Sequence, residues 1–236
     1  MPPPPSSERA LNAILPLIAA GQPYEAHQKA RTFASRYQKS GHFDTAIDVL
    51  FQSARELLKT GQENPYQKKA EVGRHALLYG LTLTKPGHEG RMTQLIALTS
   101  SQGSWRKTIM DKSIAWSAKH GPYPVGDPDL HHYVGELLYK DGILDGAEHH
   151  LLASGKRDSA RLLAQVYHDW ALSSGSLSSH AGAFALRGTI PYAGPTYLLN
   201  GNILASRTFL DSYLSHLPLS QSPLVHRTAD ADTTPR

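Results

Sequence analysis

The 236 residues include no cysteine, which excludes disulfides and thiolate metal sites and is compatible with a reducing compartment. Charge of one sign is scarce as well. Lys and Arg number 24 against 20 Asp and Glu, a formal net charge of +4, too weak over this length to argue for nucleic acid. Long apolar runs are missing. The most apolar window, Ala10–Ala20, is about half the length needed to span a bilayer and carries Asn12 and Pro16. The opening MPPPPSSER lacks the basic-then-apolar order of a signal peptide. These absences predict a soluble protein of the cytosol with no nucleic-acid partner and no direct membrane insertion. Catalytic signatures are also absent: the sequence contains no Walker A loop, no Rossmann glycine motif, no G-x-S-x-G elbow and no H-E-x-x-H. No enzyme activity and no cofactor is expected.

Amphipathic helix periodicity runs through the chain. In Gly21–Lys59, Ala26, Ala30, Phe33, Ala34 and Tyr37 define one apolar stripe. Phe43, Ala46, Ile47, Leu50, Phe51, Ala54, Leu57 and Leu58 define a second on the same 3.6-residue period. Gly41 stands where a helix C-terminus favours a left-handed residue. Two such helices cannot hide both stripes from water on their own, so the pattern predicts a stack of helix pairs. Ser6 or Ser7 can cap an earlier helix over Ala10–Ala20, which Pro16 should kink or shorten. Further helices are expected over Ala70–Leu83, 90–99 and 104–119, with Trp105, Ile109 and Trp116 sharing a face on the last.

Gly126-Asp127-Pro128-Asp129 is a strong helix start, with a capping carboxylate, a proline at the first helical position and an acid in the first turn. Leu130, Tyr133, Val134, Leu137 and Leu138 continue it. Gly142 turns into Ile143–Ala153, and Gly155 into a helix bearing Ala160, Leu163, Val166, Tyr167 and Trp170. Ser173–Ser179 has the composition of a flexible linker. Helices over 181–193 and Asn200–Leu217 follow, the latter with Ile203, Leu204, Phe209, Leu210 and Tyr213 on its stripe. A degenerate repeat links these elements. Gly21 to Ala26, Gly41 to Ala46, Gly142 to Ala147 and Gly155 to Ala160 keep one Gly-x4-Ala spacing, with Asn200 to Ala205 a near variant. Glycine ends one helix and a small alanine lets the next cross it closely, the logic of helix-hairpin repeats.

Thirteen histidines raise the question of metal. The pairs His131-His132 and His149-His150 are adjacent residues, about 100° apart on a helix, so neither pair puts two ligands on one face. Packing or surface roles explain them, as capping explains Asp127 and Asp129, and core packing explains Trp105, Trp116 and Trp170. No metal is expected. The polar side of the helix over 24–39 carries Glu25, Lys29, Thr32, Arg36 and Lys39, flanked by His27 and Arg31. Glu25 and Lys29 are placed for an i, i+4 ion pair. Two readings stand for this side: a solvated face, or a charged docking surface for an acidic partner.

YEAHQKARTFASRYQKSGHFDTAIDVLFQSARELLK resembles the N-terminal repeat of an adaptor family, the fourth factor of the guided entry of tail-anchored proteins, also named for Golgi-to-ER traffic. Trp116–Trp170 is similar to that family's central signature. Arg187–Leu214 resembles its later helices with a small insertion at Ala193–Thr196. These blocks cover about half of the chain. The resemblance implies an all-α fold: a solenoid of stacked antiparallel helix hairpins, a TPR-like right-handed superhelix without catalysis. It implies that the N-terminal half docks on the cytosolic targeting ATPase of the pathway, favouring its nucleotide-bound closed dimer. The C-terminal half would hold a ubiquitin-like-domain partner, which recruits the client-loaded co-chaperone. The matching segment holds Tyr24, Glu25, His27, Gln28, Arg31, Thr32, Arg36 and Tyr37. With Lys29 and Lys39 beside them, its charges are the expected docking residues, whereas Tyr37 lies on the core stripe and Tyr24 at the helix start. Gly126, Asp127, Leu130 and His131 match the central signature in structural roles.

Two departures from the family pattern are visible. ENPYQKKAEVGRH within 63–101 is basic and broken where the family carries an apolar helix with acidic residues. LSQSPLVHRTADADTTPR stands where the family continues into helices that grip the ubiquitin-like partner. The expected organisation is a disordered 1–6, a single solenoid over 7–217 with halves meeting near 120, and a disordered 218–236. A generic helical-repeat scaffold of another assembly is the alternative. A His-dependent metal enzyme ranks last.

Overall fold

A computed structural model describes residues 6–62, 89–101, 105–175, 177–189 and 201–217. The expectations for Pro2–Pro5, Ala70–Leu83, Ala193–Thr196 and 218–236 fall outside these residues. So does the question of whether 63–101 completes a hairpin. Among the described residues the chain is all α-helix. The helices are α1 (Glu8–Ala19), α2 (Pro23–Lys39), α3 (Phe43–Gln62), α4 (Glu89–Ala97), α5 (Trp105–His120), α6 (Pro128–Lys140), α7 (Leu144–Ser154), α8 (Arg157–Ser173), α9 (Leu177–Thr189) and α10 (Ile203–His216). The chain forms two compact units, Met1–Asp127 and Pro128–Arg236.

In the first unit each of α1, α2 and α3 packs on the other two, α4 leans on α3, and α5 on α4. In the second, α6 packs on α7, α7 on α8 and α8 on both α9 and α10, while α6 also touches α8. Contact with both the next helix and the one after it is how hairpins stack in a solenoid, and this all-α hairpin architecture is the one expected from the periodicity.

The glycine–alanine repeat explains the turns. Gly21, Gly41, Gly142 and Gly155 all have positive φ, between 64° and 79°. Behind each, the N–H of Ala26, Ala46, Ala147 or Ala160 opens the next helix on a carbonyl four residues back. All four alanines are fully buried. A left-handed residue reverses the chain, and a methyl group at the crossing lets two backbones approach. In the fifth copy Gly201 takes the positive φ, and Asn202 caps α10 by accepting from the Ala205 N–H at 3.1 Å.

Several boundaries and burials differ from expectation. Pro16 sits inside α1, which runs on to Ala19. Its ring lies on the exposed side, where the forfeited backbone bond is open to water. Ser6, not Ser7, receives the Glu8 N–H at 3.1 Å, because Ser7 donates its hydroxyl to Asp48 on α3 at 2.5 Å. Asp48 also takes Arg91 at 3.5 Å, so α1, α3 and α4 converge on one carboxylate. Within the serine-rich stretch Ser174 and Gly175 form a turn, and α9 starts at Leu177, earlier than the periodicity indicates. Phe43 is 38% exposed since it occupies the first position of α3, and Ile203 and Leu204 are each 67% exposed at the start of α10. No helix among the described residues is long and apolar enough to cross a membrane.

A candidate docking face on the second helix

The site begins with the inner side of α2. Ala26, Ala30 and Ala34 are fully buried against α1 and α3, with Phe33 and Tyr37 packed beside them and stacked on each other at 6.5 Å. Alanine at three successive turns lets α2 sit close to its neighbours, which fixes its rotation and therefore which residues face outward. Pro23 at the first helical position and Gly41 past the end set its length.

Tyr24, Glu25, Gln28, Lys29, Arg31, Thr32, Arg36 and Lys39 are all exposed. At about 100° per residue they form one continuous arc of about 160°, the complement of the alanine stripe. His27 departs from this set. It lies at the edge of the core, 9% exposed, about 60° from Ala30 and about 20° from Ala34 on the helical wheel, and so belongs to packing and not to the outer face. The expected Glu25–Lys29 ion pair is not formed among the described residues, which fits the small worth of an exposed pair against side-chain entropy. Lys29, Arg36 and Lys39 likewise have no ion-pair partner among the described residues. By exposure the arc carries four cations and one carboxylate. Its polar order is local: Gln28 donates to the Tyr24 hydroxyl at 3.2 Å, and Thr32 donates to the Gln28 carbonyl at 2.8 Å. Tyr24 is 66% exposed, an aromatic ring at the basic face rather than a core residue. Tyr37 stays half-buried, as its stripe position requires.

The polar clusters elsewhere hold the fold together. His131 on α6 is buried, and its Nδ1 lies 3.0 Å from Nδ1 of His150 on α7, so one ring donates and the other accepts. Burial, with the nearby His131 and His149 rings, lowers the pKa of His150 to about 4. Residues from two different helices make this contact, which no spacing within one helix reveals. His132 Nδ1 sits 2.8 Å from the Ser159 hydroxyl, which donates to Ser154 at 2.8 Å, which donates to the Pro128 carbonyl at 2.8 Å. With its own hydrogen spent on Ser154, Ser159 receives one from His132. The imidazole is thus in the wrong tautomer to act as its base, and Ser159 is fully buried besides. Among the described residues no group of three or more His, Asp or Glu side chains is placed to hold a metal ion. Gly126, Asp127, Leu130 and His131 serve the start of α6. Gly126 has φ 115°, the Asp127 N–H donates to the Ser117 hydroxyl at 3.0 Å, and Leu130 and His131 are buried.

Stacked hairpins place the chain among the helical-repeat proteins. The sequence pattern of the family described as Golgi to ER traffic protein 4 matches residues 40–235. The chain is 31% identical over 224 residues to Golgi to ER traffic protein 4 of Aspergillus fumigatus, an alignment covering 88% of this chain and 61% of that one. It is 24% identical over 125 residues to the Golgi to ER traffic protein 4 homolog of Gallus gallus, covering 53% and 40%. The crystal structure of C. therm. Get4 superposes with a TM-score of 0.76 at 30% identity, covering 89% of this chain and 65% of that one. The chain belongs to the Golgi to ER traffic protein 4 family. It spans less than two thirds of the length of these relatives.

Proposed function

We propose that this chain is a non-enzymatic adaptor in the insertion of tail-anchored membrane proteins into the ER. The outer arc of α2 docks on the targeting ATPase of that pathway, and the second unit belongs to the side that holds a ubiquitin-like-domain partner and, through it, the client-loaded co-chaperone. The observation that carries the proposal is the arc itself: Lys29, Arg31, Arg36 and Lys39 are exposed on a helix whose other side is locked by three buried alanines. Cations held on a rigid face steer an acidic partner and set its register. Membership of the Golgi to ER traffic protein 4 family supports the choice of pathway. Tyr24, Glu25, Gln28 and Thr32 complete the proposed contact surface, and His27 supports it from beneath.

A pull-down of the purified ATPase, with and without ATP, tests this function. The expected result is retention of the ATPase by the full chain, greater with nucleotide. No retention in either state by a folded sample removes the proposed role.

A further inference from the structure

The loop between α5 and α6 shows apolar side chains to water. Pro122, Tyr123, Pro124 and Val125 are four consecutive exposed residues, with Tyr123 47% and Val125 63% exposed. Runs of this kind invite non-specific association and are kept off surfaces unless they serve binding. The loop is also held firmly. The Gly121 N–H donates to the Ser117 carbonyl at 2.8 Å and the Asp127 N–H donates to the Ser117 hydroxyl at 3.0 Å, so one residue ties both ends. The Gly126 N–H closes a turn on the Tyr123 carbonyl at 3.1 Å, and Pro124 at the second position of that turn fixes its φ. A turn so restrained loses little conformational entropy when it binds, and tyrosine is a favoured anchor at the centre of protein interfaces.

The helix leading into the loop adds charge. Lys112 and Lys119 on α5 are exposed, and seven residues apart they lie on one stripe. Neither is in an ion pair among the described residues. Asp111 is the single acid of α5. A four-residue tip beside two lysines on one stripe offers too little apolar depth to hold an anionic bilayer, whose binding scales with buried apolar area. They suit a protein surface.

We propose that the Pro122–Val125 tip is a second docking element, separate from α2. It engages a protein that offers an apolar pocket rimmed by carboxylates. The pocket takes Tyr123 and Val125, and the rim meets Lys112 and Lys119.

The test uses the full chain with the photocrosslinking residue p-benzoylphenylalanine at position 123. After irradiation in cells, the crosslinked protein is identified, purified and titrated against the unmodified chain, a Tyr123→Ser/Val125→Ser variant and a Lys112→Glu/Lys119→Glu variant. At least a tenfold loss of affinity is expected for each variant, with helical circular dichroism and melting temperature unchanged. The crosslink is expected on an apolar segment next to Asp or Glu. Equal affinity of the unmodified chain and Tyr123→Ser/Val125→Ser, or no crosslinked protein at all, overturns the proposal. Co-sedimentation with phosphatidylserine vesicles that the serine variant abolishes assigns the tip to a membrane and overturns it too.

Discussion

Arg187 on α9 grips Glu148 on α7 with two hydrogen bonds of 2.6 Å, Nε to one carboxylate oxygen and Nη2 to the other. The Tyr167 hydroxyl of α8 donates to the same carboxylate at 2.6 Å, and the Arg187 guanidinium lies 5.2 Å over the Trp170 ring. Three helices of the second unit thus meet at one buried carboxylate. Burial, with the Glu148 charge beside it, pushes the Tyr167 pKa up, and the Glu148 hydrogen bonds raise that of Arg187.

Removing one side of this pair leaves a buried charge behind. Arg187→Ala is expected to cost about 1–3 kcal/mol, below the range for fully buried pairs because the guanidinium is half exposed. Arg187→Lys should recover only part of this, since an ammonium cannot reproduce the two-pronged contact. Urea denaturation measures both. A cost under about 0.5 kcal/mol for Arg187→Ala shows that the contact does not hold α9 in place.

The His131–His150 contact predicts acid lability. The folded pKa of His150 is about 4 against an ordinary 6.5. A depressed base favours the neutral ring in the folded state, so its contribution is fully present above 6.5 and falls as pH drops from 6.5 toward 4. The total loss over that window is roughly 3 kcal/mol at most. Denaturation midpoints at a series of pH values should show this slope, and His150→Gln should flatten it. An unchanged slope in the variant contradicts the assignment.

Two glycines inside helices predict opposite outcomes. A methyl group on Gly135 of α6 meets the Leu151 side chain at 2.8 Å, and Leu151 is fully buried. Gly135→Ala should therefore destabilise by about 1–3 kcal/mol. Gly182 in α9 is exposed with nothing within 4 Å of an added methyl, so Gly182→Ala should stabilise by about 0.4–1 kcal/mol. Thermal melts of the pair check both. Equal shifts show that the α6–α7 approach is looser than described.

The parts of this fold legible from sequence are those governed by local chemistry. Positive-φ glycines at 21, 41, 142 and 155, with a buried alanine five residues on, follow from turn geometry and the 3.6-residue period. The outer arc of α2 follows from its alanine stripe. Missed features depend on neighbours in space. His27 falls beside the core edge because α2 is rotated toward its partners. Ser7 leaves its cap because Asp48, 41 residues away, accepts its hydroxyl. The meeting of His131 with His150, and of Glu148 with Arg187, lies between helices, where periodicity carries no information. Ile203 and Leu204 fit an apolar period and still face water, because α10 buries Phe209 and Tyr213 instead.

The most direct test of the docking face is a calorimetric titration of the targeting ATPase, closed with nucleotide, into the full chain and into Arg31→Glu/Arg36→Glu. Both arginines are exposed, so the variant should keep its melting temperature within about 2 °C, as expected for a surface change within ±0.5 kcal/mol. Its affinity should fall at least about tenfold, with a weaker salt dependence than the unmodified chain. Equal affinity and equal salt dependence for the two chains would contradict the assignment of the α2 arc as the surface that grips the ATPase.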